Sequence, residues 1–426
     1  MGDFIDGSRL VAGFAVEGVT APADGNEKDL HECNDSDPRV MMNVRARVTS
    51  CASILAQHTP PVRRNLVDNL THTLFALTLA NAGLRRASAG ATAALVVAAN
   101  VPDFEFVATI SGGRVAYLQA HRGPTHGPAG LLLAALTAAA VWAAYRRFGT
   151  GERPRFRPLL AVASVGVLGH IAMDFATSYG TRVLSPFTEV WFGVDWMPIV
   201  DVFLLLIMAA GLIIGRIVAV HAGPDGADRL RRRIAAAVLL LLAADYAARG
   251  ALHASAVASA VELQQALQGG QRPEDGPPTV FRYLGLGRPA ALPAALPSEI
   301  SPFRWRLVVA DRSGYLVTEV NLRRRGPGWQ DAAKAAGVWF PNDTGPLVDR
   351  AAAATMGRVF LNFSRFPAAE IVTHRNGDLT IHWYDLRFAQ HRRPVGNDRR
   401  RHTSPFAAWV RVTPGGTVVA QGLGPG

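Results

Sequence analysis

The stretch HRGPTHGP, residues 121–128, places two histidines and an arginine between two long apolar segments. Its glycines and prolines predict a turn, and Pro128 suits the first position of a following helix. We expect His121 and His126 to face one centre across that turn. Imidazole nitrogens bind divalent metal ions, and the Arg122 guanidinium offers a fork of donors to a phosphate or carboxylate.

A second pair of polar side chains lies in GHIAMD, residues 169–174. His170 and Asp174 are four residues apart, so on a helix they share one face. An imidazole and a carboxylate in this arrangement can bind the same ion. A hydrogen bond between the two neighbours is the simpler interpretation, and the spacing alone leaves both open.

Three further ionisable residues fall in or beside apolar segments, where such groups are costly and tend to mark function: His72, Asp103 and Glu105. Imidazoles and carboxylates together suit Zn²⁺, Mn²⁺ or Fe²⁺. A catalytic ion keeps one position open for water and lowers its pKa, and a spare carboxylate can then act as general base. This chemistry is typical of metal-dependent hydrolysis.

The elements that must position these groups are apolar. The chain has 426 residues, of which 49% are hydrophobic and 18% charged, as in a membrane part joined to a soluble part. Most of the apolar runs reach the roughly 20 residues that span a bilayer; they cover 67–84, 88–110, 128–146, 158–178, 197–220 and 234–256. The first run is short, so a re-entrant or tilted helix is an alternative there. The second half of the last run is predicted to leave the hydrocarbon.

The net charge of +11 comes from 44 Lys and Arg against 33 Asp and Glu. Arginines cluster in the loops between apolar runs, where a membrane protein carries them, so we predict no nucleic-acid binding. The positive-inside rule makes three loops cytoplasmic; they contain Arg85 and Arg86, the five arginines between 146 and 157, and the four between 229 and 233. Segments 111–127, 179–196 and everything after about 257 then face outward. Every candidate group lies on that same side.

Residues 1–65 are polar and acidic without apolar periodicity, which predicts a disordered extension. A natural start at Val67 is an equally open interpretation. The chain has two cysteines, Cys33 and Cys51, and both lie in this extension. Two cysteines are too few for a disulfide framework. After the bundle at 66–260 we predict a Pro- and Gly-rich linker at 261–300 and an α+β extracytoplasmic domain at 301–426.

Short alternating runs in that last domain predict strands, with helices at 329–337 and 345–356. Its histidines are predicted to be structural or solvated. Trp191 and Trp196, in the membrane part, are predicted to lie in an interfacial belt. The predicted core of the C-terminal domain includes four tryptophans: Trp305, Trp339, Trp383 and Trp409.

Together these motifs resemble the YdjM-like family of inner-membrane, metal-dependent hydrolases, some of whose bacterial members are linked to the DNA-damage response. The matching pieces are DNLTHTL at 68–74, VPDFE at 101–105, HRGPTH at 121–126 and GHIAMDFATSYGTRVLSPF at 169–187. The resemblance covers residues 66–220, and SPFRWRLVV at 301–309, SRFP at 364–367 and YDLRF at 384–388 are similar to the soluble domain of its long members. Family sequences often have Ser where this chain has Gly127.

The resemblance implies a multi-pass protein of the bacterial inner membrane with one cluster of polar functional residues. We expect the metal ligands to be His72, Asp103, His121, His126, His170 and Asp174. The predicted catalytic residues are Asp103, Glu105, Arg122 and Asp174. The expected reaction is metal-assisted hydrolysis of an ester or phosphoester, of a lipid or lipid-linked substrate.

Two other functions remain as alternatives. One is a non-catalytic membrane protein with a structural metal or histidine site, whose outer domain binds a partner. The other is a metal or proton transporter, which is disfavoured because the last two apolar runs carry few polar groups to complete a path.

Overall fold

A computed structural model describes residues 61–222, 224–269, 281–283, 293–311, 314–391 and 402–424. The predicted N-terminal extension lies outside these residues, apart from its last five positions, which begin a helix. Both cysteines lie outside them as well.

Helices make up the first part of the described chain. They are α1 (Pro61–Ala82), α2 (Ala91–Ala98), α3 (Ala108–Ala120), α4 (Ala129–Phe148), α5 (Phe156–Phe175), α6 (Val202–His221) and α7 (Pro224–Leu267). One 3-10 segment, Leu84–Arg86, precedes α2, and two more lie further along the chain, Val101–Val107 and Pro124–His126. These two segments carry the PDFE and PTH motifs.

Among the described residues, four helices are long and apolar enough to cross a bilayer: α4, α5, α6 and Gly226–Leu267 of α7. A bent pair, Ala91–Ala98 with Val101–Ile110, forms a fifth candidate with an angle of 47°. The predicted polytopic helical bundle is thus confirmed, with four to five candidate spans among the described residues where the sequence has six apolar runs. The polar α1 is not among the candidate spans, in keeping with the short first run.

Small side chains bring α2, α4 and α5 close together. Ala94, Ala98, Ala138 and Ala163 are fully buried in one cluster. A Cβ at Gly166 of α5 would lie only 2.9 Å from the Ala98 Cβ, so glycine permits this contact. Close helix approach through small residues is typical of membrane bundles, and here it draws the end of α2 towards the motifs of α5.

Helix α7 has 44 residues, which corresponds to about 66 Å, against a hydrocarbon thickness of about 30 Å. Its second half leaves the membrane part, as predicted. Ala256, Ala260 and Leu263 are fully buried against Trp305 and Leu307. One continuous helix therefore belongs both to the bundle and to the core of the C-terminal domain.

The C-terminal domain is α+β, as predicted. One antiparallel sheet has the order β3 (Ala294–Pro297), β4 (Arg304–Asp311), β5 (Gly314–Asn321) and β6 (Val338–Pro341). The second has the order β12 (Val418–Leu423), β11 (Ala407–Val412), β8 (Leu379–Asp385) and β7 (Pro367–Thr373). Two two-stranded sheets pair β1 (Trp191–Gly193) with β2 (Phe281–Tyr283) and β9 (Gln390–His391) with β10 (His402–Thr403).

Its helices are α8 (Trp329–Ala336), α9 (Pro346–Ala353) and α10 (Thr355–Phe363). The predicted helix at 329–337 is confirmed, and the one at 345–356 is divided between α9 and the start of α10. The stretch predicted as linker, 261–300, contains the end of α7 and the strands β2 and β3.

The structure shows that two predictions about tryptophans, those for Trp339 and Trp191, are wrong. Trp305 and Trp383 are buried as expected, whereas Trp339 is 42% exposed and was wrongly assigned to the core. Trp191 is not an interfacial belt residue. It is 1% exposed, and its indole Nε1 donates to the Asn362 carbonyl oxygen at 3.1 Å, because the loop that carries it is covered by the C-terminal domain.

Leu263→Ala tests whether α7 contributes to the core of the C-terminal domain. Because Leu263 is 0% exposed, we expect this change to lower the free energy of unfolding by about 2–5 kcal/mol. The measurement is denaturant unfolding of the detergent-purified protein, followed by tryptophan fluorescence. The control is Leu241→Ala on the same helix, where the side chain is 55% exposed. Equal effects of the two changes would contradict this role.

Candidate metal centre

Four side chains from three separate segments converge at one end of the bundle: Asp103, His126, His170 and Asp174. One potential ligand atom from each lies within 4.8 Å of those of the others. His170 and Asp174 share a face of α5, Asp103 follows α2, and His126 ends the PTH turn. The predicted convergence of these residues is therefore present in the structure.

Hydrogen bonds behind the two imidazoles determine which nitrogen faces the centre. His170 Nδ1 lies 2.8 Å from the Ala99 carbonyl oxygen, and a carbonyl only accepts, so Nδ1 carries the proton. The Thr125 hydroxyl donates to Glu105 Oε2 at 3.1 Å and accepts from His126 Nδ1 at 3.0 Å. Both Nε2 atoms thus present lone pairs to the centre, as metal-binding histidines do.

The centre is lined by acceptors. The Nε2 atoms of His126 and His170 are 3.1 Å apart, and Asp174 Oδ2 is 3.1 Å from His126 Nε2. Asp103 Oδ1 lies 3.6 and 3.7 Å from the two nitrogens. Lone pairs and carboxylates this close repel one another unless positive charge lies between them. One divalent cation satisfies all four, and two nitrogens with two oxygens suit Zn²⁺, Mn²⁺ or Fe²⁺.

His72 lies directly beside this group on α1. Its ring contacts that of His170 with centroids 3.9 Å apart, and its Nε2 is 3.6 Å from Asp174 Oδ1. The predicted ligand His72 is thus at the centre, although it is not one of the four residues whose ligand atoms share the 4.8 Å group.

His121 is not one of the four residues of this group. The prediction that it is a metal ligand facing the same centre as His126 is therefore wrong. Its Nδ1 contacts Glu105 Oε1 at 2.7 Å, and its ring lies among Tyr117, Tyr179 and Phe363. Burial lowers the pKa of His121, against the opposing effect of the Glu105 hydrogen bond. The histidine therefore belongs to the packing of the HRGPTH turn.

Glu105 organises that turn. Its two carboxylate oxygens accept from the Arg122 backbone N–H, each at 2.8 Å, in addition to their contacts with His121 and Thr125. The Arg122 backbone has φ 48°, a left-handed conformation that a non-glycine residue rarely adopts. With its oxygens engaged in this way, Glu105 is a positioning residue, in contrast to its predicted catalytic role.

The Arg122 guanidinium is likewise a positioning group. Its Nη2 donates to Asp174 Oδ1 at 3.0 Å, and its Nη1 donates to Thr177 Oγ1 at 3.0 Å and to the Gly180 carbonyl at 3.1 Å. The side chain is 3% exposed. Arg122 thus fixes the Asp174 carboxylate and the loop after α5, in contrast to its predicted catalytic role.

Gly127 closes the turn against the loop after α5. A Cβ at this position would lie 2.0 Å from the Ser185 carbonyl oxygen, so a side chain cannot fit without a shift of the backbone. This close approach requires glycine at position 127.

The C-terminal domain contacts the same loop through two arginines of its SRFP and YDLRF motifs. Arg387 Nη1 donates to the Tyr179 carbonyl at 3.3 Å, and its guanidinium carbon lies 5.0 Å from the centroid of the Tyr179 ring. The guanidinium carbon of Arg122 lies 5.2 Å from the centroid of that ring. A chain of contacts therefore runs from Asp174 through Arg122 and Tyr179 to Arg387.

The second arginine, Arg365, forms a bidentate ion pair with Asp195. Its Nη1 and Nη2 donate to the two carboxylate oxygens at 2.5 and 2.7 Å, and both side chains are at most 5% exposed. Asp195 lies just before the spanning helix α6. The sequence analysis did not single out Arg365 or Arg387, because only three-dimensional contacts link them to the site. The one sequence signal for them was their position in the SRFP and YDLRF motifs.

Exposure distinguishes one ligand from the rest. The side chains of His126, His170 and Asp174 are 0–2% exposed, whereas Asp103 is 19% exposed. Access to the centre is therefore on the side of Asp103.

The fold and this centre define a polytopic membrane protein with a cluster of buried histidines and aspartates that could hold a metal ion. Residues 67–256 match the profile of the YdjM inner membrane protein family. The membrane part is thus similar to the family that its motifs resemble, over less than half of the chain. Searches of curated proteins and of solved structures found no significant match.

Removing single histidines tests the ligand set. We expect His170→Ala to lose most of the bound divalent metal, because it removes one of the four facing ligand atoms. His121→Ala should retain metal, because its ring pairs with Glu105 instead. The measurement is elemental analysis of detergent-purified protein, normalised to protein concentration. Equal metal loss in the two variants would contradict the four-residue set.

Arg387→Gln tests the link between the C-terminal domain and the centre. Loss of a group that hydrogen-bonds a metal ligand weakens metal binding about 10–100-fold, and we expect a loss below this range because Arg387 acts on Asp174 only through Tyr179 and Arg122. The measurement is a chelator competition titration on protein whose folded state is verified by circular dichroism. Arg411→Gln, on β11, is the control for loss of an arginine. Unchanged metal affinity in folded Arg387→Gln protein would contradict the link.

Proposed function

We propose that this protein is a membrane-embedded, metal-dependent hydrolase that cleaves an ester or phosphoester of a lipid or lipid-linked substrate. The proposal depends on one observation: four acceptor groups surround a common point, and one of them, Asp103, remains partly accessible. A purely structural ion is typically enclosed by its ligands, whereas a catalytic ion keeps a side open.

Asp103, His126, His170 and Asp174 would hold the ion. When bound, a divalent ion supplies Lewis acidity and makes water acidic enough to ionise near neutral pH. The protein's own residues orient the site: the Ala99 carbonyl fixes the His170 tautomer, and Arg122 fixes Asp174. Asp103 is the carboxylate best placed to accept a proton from water, because it alone among the four is partly accessible.

The surroundings of Asp103 favour an amphiphilic substrate. The segment that carries it turns its carboxylates inward and exposes large apolar side chains: Phe104 is 57% exposed, Phe106 44%, Val107 45% and Ile110 81%. In a membrane protein such a surface faces acyl chains or the interface. A substrate with a lipid tail would therefore reach Asp103 along an apolar surface, with its polar bond at the centre.

The charge distribution supports an extracytoplasmic site in a bacterial inner membrane. Arginine-rich segments lie at the opposite ends of the helices from the candidate centre, and the positive-inside rule places such segments in the cytoplasm. The C-terminal domain, which contacts the loop after α5, would then also be extracytoplasmic.

A screen for turnover separates this proposal from a non-catalytic metal protein. Purified protein is incubated with short-chain lipids that carry a carboxylic ester, a phosphomonoester or a phosphodiester, and product release is measured. We expect Asp103→Asn to reduce turnover at least about 100-fold, because the change removes the proposed general base and weakens one of the four groups that would hold the ion. Asp331→Asn, whose side chain is 86% exposed, is the control.

Bound metal without turnover of any substrate class in the wild type, together with unchanged behaviour of Asp103→Asn, would favour the alternative of a structural metal site.

A further inference from the structure

A cavity of about 290 Å³ lies between α1, α6 and α7, at the arginine-rich end of the bundle. Its walls combine an apolar side with polar groups, among them Thr78, Asn81, Arg85, Arg216 and Arg231. Asn81 is nine residues along α1 from His72, which corresponds to about 13 Å. The cavity is therefore distinct from the metal centre.

The positive charge at this cavity exceeds the nearby negative charge. Asp228 forms ion pairs with Arg85, Arg86 and Arg232. Among the side chains that the structure describes, Arg216 and Arg231 have no carboxylate within ion-pair distance. Arg216 is notable because it lies within α6, one of the apolar spanning helices, where an uncompensated charge is costly.

Glycines of α6 create the space. A Cβ at Gly211 would lie 2.3 Å from Val238 Cγ2, so this glycine permits α6 and α7 to approach. One turn further on, a Cβ at Gly215 would meet only the Arg231 Cγ, at 3.9 Å. The two helices are thus in tight contact beside Gly211 and leave room beside Gly215, next to the two arginines.

We propose that this cavity binds the phosphodiester headgroup of an anionic phospholipid. Two guanidinium groups offer forked donors that match phosphate oxygens. Leu77, Leu212 and Val238 line the same cavity and suit the glycerol and the start of the acyl chains. The cavity is at the end of the bundle that the positive-inside rule assigns to the cytoplasmic leaflet, where basic pockets between helices meet anionic headgroups.

The test measures retention of lipid by the full-length protein. Protein is reconstituted in bilayers of phosphatidylcholine with a minor fraction of phosphatidylglycerol, released into detergent, and examined by native mass spectrometry. We expect wild-type protein to retain phosphatidylglycerol selectively. Arg216→Gln with Arg231→Gln should reduce this retention about 30-fold, because each arginine near an anionic lipid contributes about a factor of five.

The matched control removes the same amount of charge from α7, on either side of Arg231. Arg229 and Arg233 are exposed and do not line the cavity, so Arg229→Gln with Arg233→Gln should retain phosphatidylglycerol. An equal loss in both double variants would indicate non-specific attraction and overturn the proposal, as would no loss in either.

A second variant tests the space without changing charge. Gly215→Leu should fill the cavity and reduce retention at an unchanged melting temperature, and full retention would overturn the proposal. Competition separates the two sources of phosphate. Inorganic phosphate should displace the lipid far less effectively than a water-soluble short-chain phosphatidylglycerol does. Equal displacement would assign the cavity to a soluble anion and overturn the proposal of a lipid site.

Discussion

The ion pair between Arg122 and Asp174 is the interaction on which the candidate metal centre depends. Both side chains are at most 3% exposed, and a buried carboxylate without a cationic partner is strongly destabilising. The same guanidinium also binds Thr177 and the Gly180 carbonyl, so it orients one ligand and shapes the loop after α5. Glu105 keeps Arg122 in position through the backbone. Removal of either side chain of the ion pair takes away the charged partner of the other, which is costly at a buried site.

The rest of the fold brings these groups together. Small residues draw α2 against α5, which places Asp103 opposite His170. The continuous helix α7 carries the C-terminal domain, and Arg365 and Arg387 of that domain bind the loop between α5 and α6. The two parts of the chain thus share both a helix and a loop, and the domain forms part of the support of the centre.

Sequence patterns predicted the helical bundle, the α+β domain and the meeting of Asp103, His126, His170 and Asp174. Charge bias and local spacing carried that information, because both are properties of short segments. The orientation of the His121 side chain could not be predicted, because Glu105 and an aromatic cluster, rather than the centre, contact its ring. Trp191 and Arg387 were misjudged or missed because their partners, Asn362 and Tyr179, lie far away in sequence.

The order of these contacts along the chain has a consequence for biogenesis. About 210 residues separate Asp174 from Arg387, which corresponds to roughly 10–40 s of translation. Until Arg387 is synthesised, Tyr179 lacks the arginine of the C-terminal domain that contacts its ring and its carbonyl oxygen. Maturation of the centre therefore ends after synthesis of the last third of the chain, when the nascent protein has already been inserted.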